Sequence, residues 1–198
     1  MKRIIKNPAS QIISENLKYS SGNTRLTNLL LKEQKNFCAY TEEYISFNDA
    51  KDIEHFNPNL KDTQEDNYNN WYIVKHLPNQ RKSTTWLEPI LYPFAEDFEE
   101  RIIYNDGIYF AKPDDIEANN LITLLDLNNI HKVSLRKRYI KRRKESLIQR
   151  NIDSNNLDEV KSYFQSKIDF EIEDGVKYLR AIQEEFKINI WEMIPEIQ

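Results

Sequence analysis

Only three glycines and one cysteine occur in 198 residues. The glycine scarcity removes Gly-rich phosphate loops: neither G-x-G-x-x-G nor G-x-x-x-x-G-K is present. A single cysteine, Cys38, excludes an intrachain disulfide and any multi-cysteine zinc site. No run of about 18 apolar residues exists, so no transmembrane helix is expected. The start, Met1-Lys2-Arg3-Ile4-Ile5-Lys6-Asn7-Pro8, has basic residues but no apolar stretch behind them, unlike a secretory signal. These absences together lead us to expect a cytoplasmic protein without a membrane partner.

Net charge is −4, which at first sight speaks against nucleic acid. Its distribution reverses that view. Between His131 and Arg150 stand nine Lys or Arg against Glu145 alone, a local +8. A phosphate backbone senses such a patch within a Debye length of about 10 Å, whatever the rest of the chain carries. Arg136, Lys137, Arg138, Lys141, Arg142, Arg143 and Lys144 are therefore candidate phosphate contacts. A solvated helix face, or one meeting acidic stretches such as 96–100, is the plainer alternative.

Periodicity divides the chain into three regions. Residues 1–36 are expected to be helical, with a break at Ser20-Ser21-Gly22-Asn23 and Thr24 as N-cap of the second piece. Residues 37–130 carry short alternating runs. Residues 53–56 and 71–74 are strand candidates, joined by a polar Asn/Asp-rich loop, and Pro78 suits the start of a helix running toward Trp86. Strand, loop, strand, helix makes a ββα unit. Residues 102–110 predict a hairpin turning at Asp106-Gly107. Residues 131–198 are expected to be helical, the last helix starting at Asn156 with Glu159 and having Gly175 as a candidate kink. The class is α+β: a small ββα module and a short hairpin in a mostly helical protein.

The ββα unit contains the chemistry-bearing residues. His55 can take a proton from water near neutral pH, as attack on phosphorus requires. Glu54 precedes it, and neighbouring strand residues face opposite ways. Either the strand is distorted, or Glu54 and His55 serve opposite sides of one phosphate. Asp52 shares the Glu54 face and is a rival ligand. A hard cation prefers carboxylate and amide oxygens, which Glu54 and Asn79 could supply. Asn70 is expected to bridge backbone across the loop and orient His55. Lys82 could meet phosphate or buttress the site, and His76 is a candidate extra ligand or phosphate donor.

Ile53-Glu54-His55-Phe56-x-Pro58, then Asn70-Trp71-Tyr72-Ile73, then Asn79-x-x-Lys82 resembles the HNH endonuclease superfamily with its ββα-metal fold. The resemblance implies Glu54 and Asn79 as metal ligands, His55 as general base and Asn70 as the structural Asn, with one Mg²⁺ or Mn²⁺ ion. Leu87-Glu88-Pro89, the acidic 95–100 stretch and Leu124-Leu125-Asp126-Leu127-Asn128 are similar to HNH proteins of Septu-type anti-phage systems, which accompany an ATPase of the SMC/AAA kind. It covers roughly residues 36–150. Relatives of this kind often carry a Cys₄ zinc ribbon, of which Cys38 keeps one position. A structural zinc is therefore not expected, and Tyr40, Tyr44, Phe47, Trp71 and Trp86 are expected to pack in its place. The implied function is a metal-dependent endonuclease acting on DNA, as effector of an anti-phage system. The alternatives are a ribonuclease, or a vestigial HNH subunit that binds the ATPase.

Overall fold

The computed structural model describes residues 1–20 and 22–197; Ser21, within the expected N-terminal break, lies outside them. The chain begins with α1 (Gln11–Ser14) and α2 (Thr24–Glu33), followed by β1 (Lys51–His55), β2 (Trp71–Lys75) and α3 (His76–Lys82). Next come α4 (Phe98–Arg101), β3 (Ile102–Asn105), β4 (Ile108–Ala111) and α5 (Ile116–Leu124). The C-terminal third is helical: α6 (Ile130–Gln149), α7 (Leu157–Gly175), α8 (Leu179–Phe186) and α9 (Ile190–Met193). The architecture is α+β and mostly helical. Among the described residues, no helix is long and apolar enough to cross a membrane.

β1 and β2 pair antiparallel, with Asp52 opposite Val74, Glu54 opposite Tyr72 and His55 opposite Trp71. Trp71, Tyr72, Ile73 and Val74 are all buried, so β2 is central and β1 lies outside it. Burying Ile73 and Val74 contributes about 1.5–3 kcal/mol each. The second edge of β2 is closed without a third strand. Gln34 accepts from Ile73 N (2.8 Å) and donates to Ile73 O (2.9 Å), and Ala39 N also donates to that carbonyl. A buried edge thus has its backbone groups satisfied by one side chain and one loop.

α3 starts at His76, two residues before Pro78. The first four helical N–H groups have no intrahelical acceptor, so proline is tolerated at the third position. The helix ends at Lys82 rather than continuing to Trp86, because Ser83 takes φ 51°. At the N-terminal break, Asn23 rather than Thr24 caps α2, its side chain accepting from Leu26 N. The β3–β4 hairpin turns through Asp106 (φ 44°) and Gly107 (φ 78°). A Cβ at Gly107 would also lie 2.8 Å from Lys137 Cγ, so glycine is required there twice over.

The expected final long helix is two helices. The Asn156 side chain caps α7 and donates to Glu159, as the sequence suggested. The backbone leaves helical geometry at Glu171 (φ −144°), α7 ends at Gly175, and α8 begins only after Tyr178 in the left-handed region. One continuous core joins the three regions: Leu26 and Leu30, Ile73 and Val74, and Phe164, Ile182 and Ile190 belong to it. Glu42 fastens them further, accepting from Lys2 N, Arg180 N and Tyr109 Oη at 2.7, 3.0 and 3.1 Å.

Around Cys38, Tyr40 and Trp71 are buried and Tyr44 and Trp86 partly so, but Phe47 is 94% exposed and packs nothing. The Cys38 thiol is free and buried, and its sulfur accepts from Lys75 N (3.3 Å).

Candidate nuclease centre and basic face

β1 is regular through His55, so its last two side chains diverge. Glu54 points toward α3: its Oε1 lies 2.7 Å from Lys82 Nζ and accepts from Tyr40 Oη (3.2 Å). His55 points the other way, where Tyr19 packs edge-on at 4.3 Å between ring centroids and Asp66 Oδ2 lies 3.0 Å from Nε2. Glu54 and His55 therefore face opposite sides of one undistorted strand. Both line an open groove with Tyr19, Asp52, Lys61 and Asn79.

α3 lays His76, Asn79 and Lys82 along one face, because residues three apart lie on the same side of a helix. That face meets Asp52 and Glu54. Asn79 Nδ2 donates to Asp52 Oδ2 (2.9 Å), and His76 Nδ1 lies 2.8 Å from the same oxygen. Lys82 Nζ also donates to His55 O at 3.4 Å. Lys82 is 3% exposed, so it buttresses Glu54 and is not placed to meet a phosphate.

The donor chemistry on this face suits a hard cation. Asn79 uses its amide N–H on Asp52, its amide oxygen has no hydrogen-bond partner among the described residues, and the neighbouring carboxylates supply further oxygens. Glu54, Asp52 and Asn79 carry oxygens of the kind Mg²⁺ or Mn²⁺ takes, and these are the residues that could hold such an ion. Among the described residues no three His, Cys, Asp or Glu side chains converge in metal-binding geometry. Lys82 is a rival cation at the Glu54 end.

Asn70 closes the loop behind His55. Its Oδ1 accepts from Asn57 N (2.8 Å), and its Nδ2 donates to Asn57 O (3.1 Å) and Asp66 Oδ1 (3.0 Å). Phe56 N donates to Asn70 O (2.9 Å), so side chain and backbone extend the β1–β2 ladder past its end. Lys6 braces the same turn, donating to Tyr68 O (2.8 Å) and Trp71 O and lying over the Tyr68 and Tyr72 rings at 4.3 and 4.1 Å.

Burial holds the His55 pKa below the ordinary imidazole value, with the Asp66 carboxylate opposing and Lys61 assisting. The shift favours the unprotonated imidazole, the form that accepts a proton. Burial pushes the Glu54 carboxyl up, while Lys82 pulls it back.

The basic helix divides into anchors and free charges. Arg136 is 4% exposed: it donates to Gly107 O (2.8 Å) and Leu127 O (2.6 Å) and stacks over Tyr109. This corrects its expected role, since a cation holding a hairpin turn is not available to a phosphate. Arg143 is also an anchor, donating to Tyr163 Oη (3.4 Å) and Asp174 O (3.2 Å) and lying over Tyr139. Lys137 pairs with Asp106, and Lys144 with Glu185 at 2.6 Å. Lys141 is exposed, with only a loose approach to Glu145 (3.8 Å). Arg138 and Arg142, one helical turn apart, are exposed and form no ion pair among the described residues. Of the candidate phosphate contacts, Arg138, Lys141 and Arg142 are the exposed cations left without a close ion pair among the described residues, with Lys137 at their edge.

Sequence reading missed Asp66, Tyr19 and Lys61. Asp66 and Lys61 sit in an aperiodic polar loop, and Tyr19 arrives from the N-terminal region. No local pattern announces such neighbours. No protein-family model matches the chain, and neither does any curated protein or solved structure.

Proposed function

We propose that this chain is a metal-dependent phosphodiester hydrolase of the HNH type, an endonuclease acting on DNA. The observation that carries the reading is the divergence at the end of β1. A buried imidazole faces one side of the strand, and the carboxylates that meet α3 face the other, within one groove. Hydrolysis at phosphorus needs a base on the water's side and charge neutralisation on the leaving group's side.

In this reading His55 takes the proton of the attacking water. Asn70 keeps the Asn57 backbone in register, which holds His55 at the strand end. Glu54 and Asn79, with Asp52 beside them, would hold Mg²⁺ or Mn²⁺; when bound, the ion neutralises charge on the scissile phosphate and the departing oxygen. Lys82 opposes the burial that pushes the Glu54 carboxyl toward its neutral form. Arg138, Lys141 and Arg142 attract the nucleic-acid backbone without reading its sequence.

The Glu54–Lys82 pair favours a second reading, in which the chain is inactive alone and serves an ATPase partner. An ammonium already sits where the metal's carboxylate ligand is required. Incubating the purified chain with plasmid DNA in Mg²⁺, Mn²⁺ or EDTA, with and without the ATPase, separates the two. Metal-dependent cutting by the chain alone supports the enzyme. Cutting only in the complex supports a gated subunit, and no cutting in either supports a vestigial one. An RNA arm tests the ribonuclease alternative.

A further inference from the structure

His55 Nε2 is sealed from solvent and makes no aligned hydrogen bond among the described residues, yet Asp66 Oδ2 lies only 3.0 Å away. Asp66 is itself 8% exposed and fixed at its other oxygen, where Oδ1 accepts from Trp71 Nε1 (2.8 Å) and Asn70 Nδ2 (3.0 Å). Tyr19 packs edge-on against the imidazole and limits its rotation. A neutral imidazole can carry its proton on either nitrogen. With the proton on Nδ1, the Nε2 lone pair would face a carboxylate oxygen in a buried site, and two electron-rich atoms would repel. With the proton on Nε2, an N–H faces that oxygen instead, and Nδ1 is left with its lone pair. Nδ1 forms no hydrogen bond with a described residue, while His55 lines the groove. A bent approach between base and orienting group is common before substrate binds.

We propose that Asp66 is a positioning residue that selects the Nε2–H tautomer of His55, so that Nδ1 is the atom accepting the proton of water. The catalytic half of this statement rests on the nuclease reading; the tautomer assignment does not. Asp66 touches no reacting atom. It acts through the ring, as a carboxylate behind a catalytic histidine does in other hydrolases.

The decisive variant is Asp66→Asn. Its carboxamide oxygen can keep the Trp71 and Asn70 bonds while its NH₂ faces the ring, which would demand a lone pair on Nε2 and move the proton to Nδ1. The chain has three histidines, so long-range ¹H–¹⁵N imidazole spectra of the metal-free protein are assignable by His76→Gln and His131→Gln. Expected is an Nε2–H pattern for His55 above its titration range, and an Nδ1–H pattern in Asp66→Asn. Cleavage by Asp66→Asn should fall in kcat by about 10²–10⁴-fold with KM within about twofold of the unmodified chain.

An Nδ1–H tautomer in the unmodified chain overturns the proposal, and this spectrum decides even if Asp66→Asn does not fold. A lost activity with an unchanged tautomer also overturns it, since Asp66 would then serve only the loop. So does a switched tautomer with undiminished cutting. An Nε2–H tautomer in a chain that cuts nothing, alone or with the ATPase, leaves the assignment standing and sinks the nuclease reading instead.

Discussion

Lys82 Nζ lies 2.7 Å from Glu54 Oε1, and the two side chains are 2% and 7% exposed. Removing one partner of such a pair leaves a buried charge uncompensated, which costs roughly 3–5 kcal/mol. Lys82→Met should therefore destabilise the chain by that order in urea titrations at neutral pH. The sign with pH follows from Glu54, whose folded pKa is raised by burial and held down by Lys82. Without Lys82 it rises further, so the folded state binds the extra proton. The variant should lose stability relative to the unmodified chain as pH rises from about 5 to 8, since stability is greatest below the unfolded carboxyl's ordinary value. Equal stability curves across that range would show that the pair does not hold Glu54 ionised.

The cleavage rate should have an acid limb governed by His55. Burial lowers its pKa, so the base form persists below the ordinary imidazole value of 6.5. Rate should rise with pH and level off, with the inflection under 6.5 in single-turnover cleavage. Lys61 also lowers this pKa, so Lys61→Ala should move the inflection upward. The same depression makes the imidazole's contribution to stability present above 6.5 and lost as pH falls through the folded value. An inflection above 6.5 would mean that a different base limits the rate.

The basic helix predicts two separable behaviours. Arg136→Ala leaves the Gly107 and Leu127 carbonyls without their buried donor, at a cost of roughly 1–3 kcal/mol. The salt dependence of DNA affinity should stay the same in that variant. Replacing Arg138 and Arg142 together by Ala should shift stability by less than about 0.5 kcal/mol. It should also reduce the log–log salt slope by about one for each phosphate no longer neutralised. Fluorescence anisotropy on a short duplex across a salt series distinguishes them, and an unchanged slope in the double variant would remove this face from the nucleic-acid path.

Asn70→Ala should destabilise by about 1–3 kcal/mol, because the Asn57 N–H and C=O both lose their partner in a buried site. Asn70→Asp keeps the acceptor but sets a second carboxylate against Asp66, and should be at least as damaging. Urea midpoints for the two variants test this, and a neutral Asn70→Ala would mean that the loop is held elsewhere.

The ββα unit and the hairpin were legible because their signals are local: alternation, a proline near a helix start, an Asp-Gly turn. The basic segment was legible as a helix but not as a surface. Arg136, Tyr139, Ile140, Arg143 and Leu147 share one stripe, so the same period that marks the apolar face also assigns two of the arginines to it. Charge count alone hid that. Asp66 was unreadable because an aspartate in a polar loop reaches His55 only through long-range folding. The break after α7 was obscured for a similar reason. Val176 and Leu179 continue an apolar sequence, while the backbone at Glu171 and Tyr178 departs from the helix to reach Glu42.

The most direct measurement compares the unmodified chain with His55→Ala in one preparation series: thermal unfolding, Mn²⁺ binding and cleavage of plasmid DNA. The expected result is a folded variant that still binds Mn²⁺ and whose cutting falls by about 10²–10⁴-fold. A folded His55→Ala chain that cuts DNA at the unmodified rate would contradict the account.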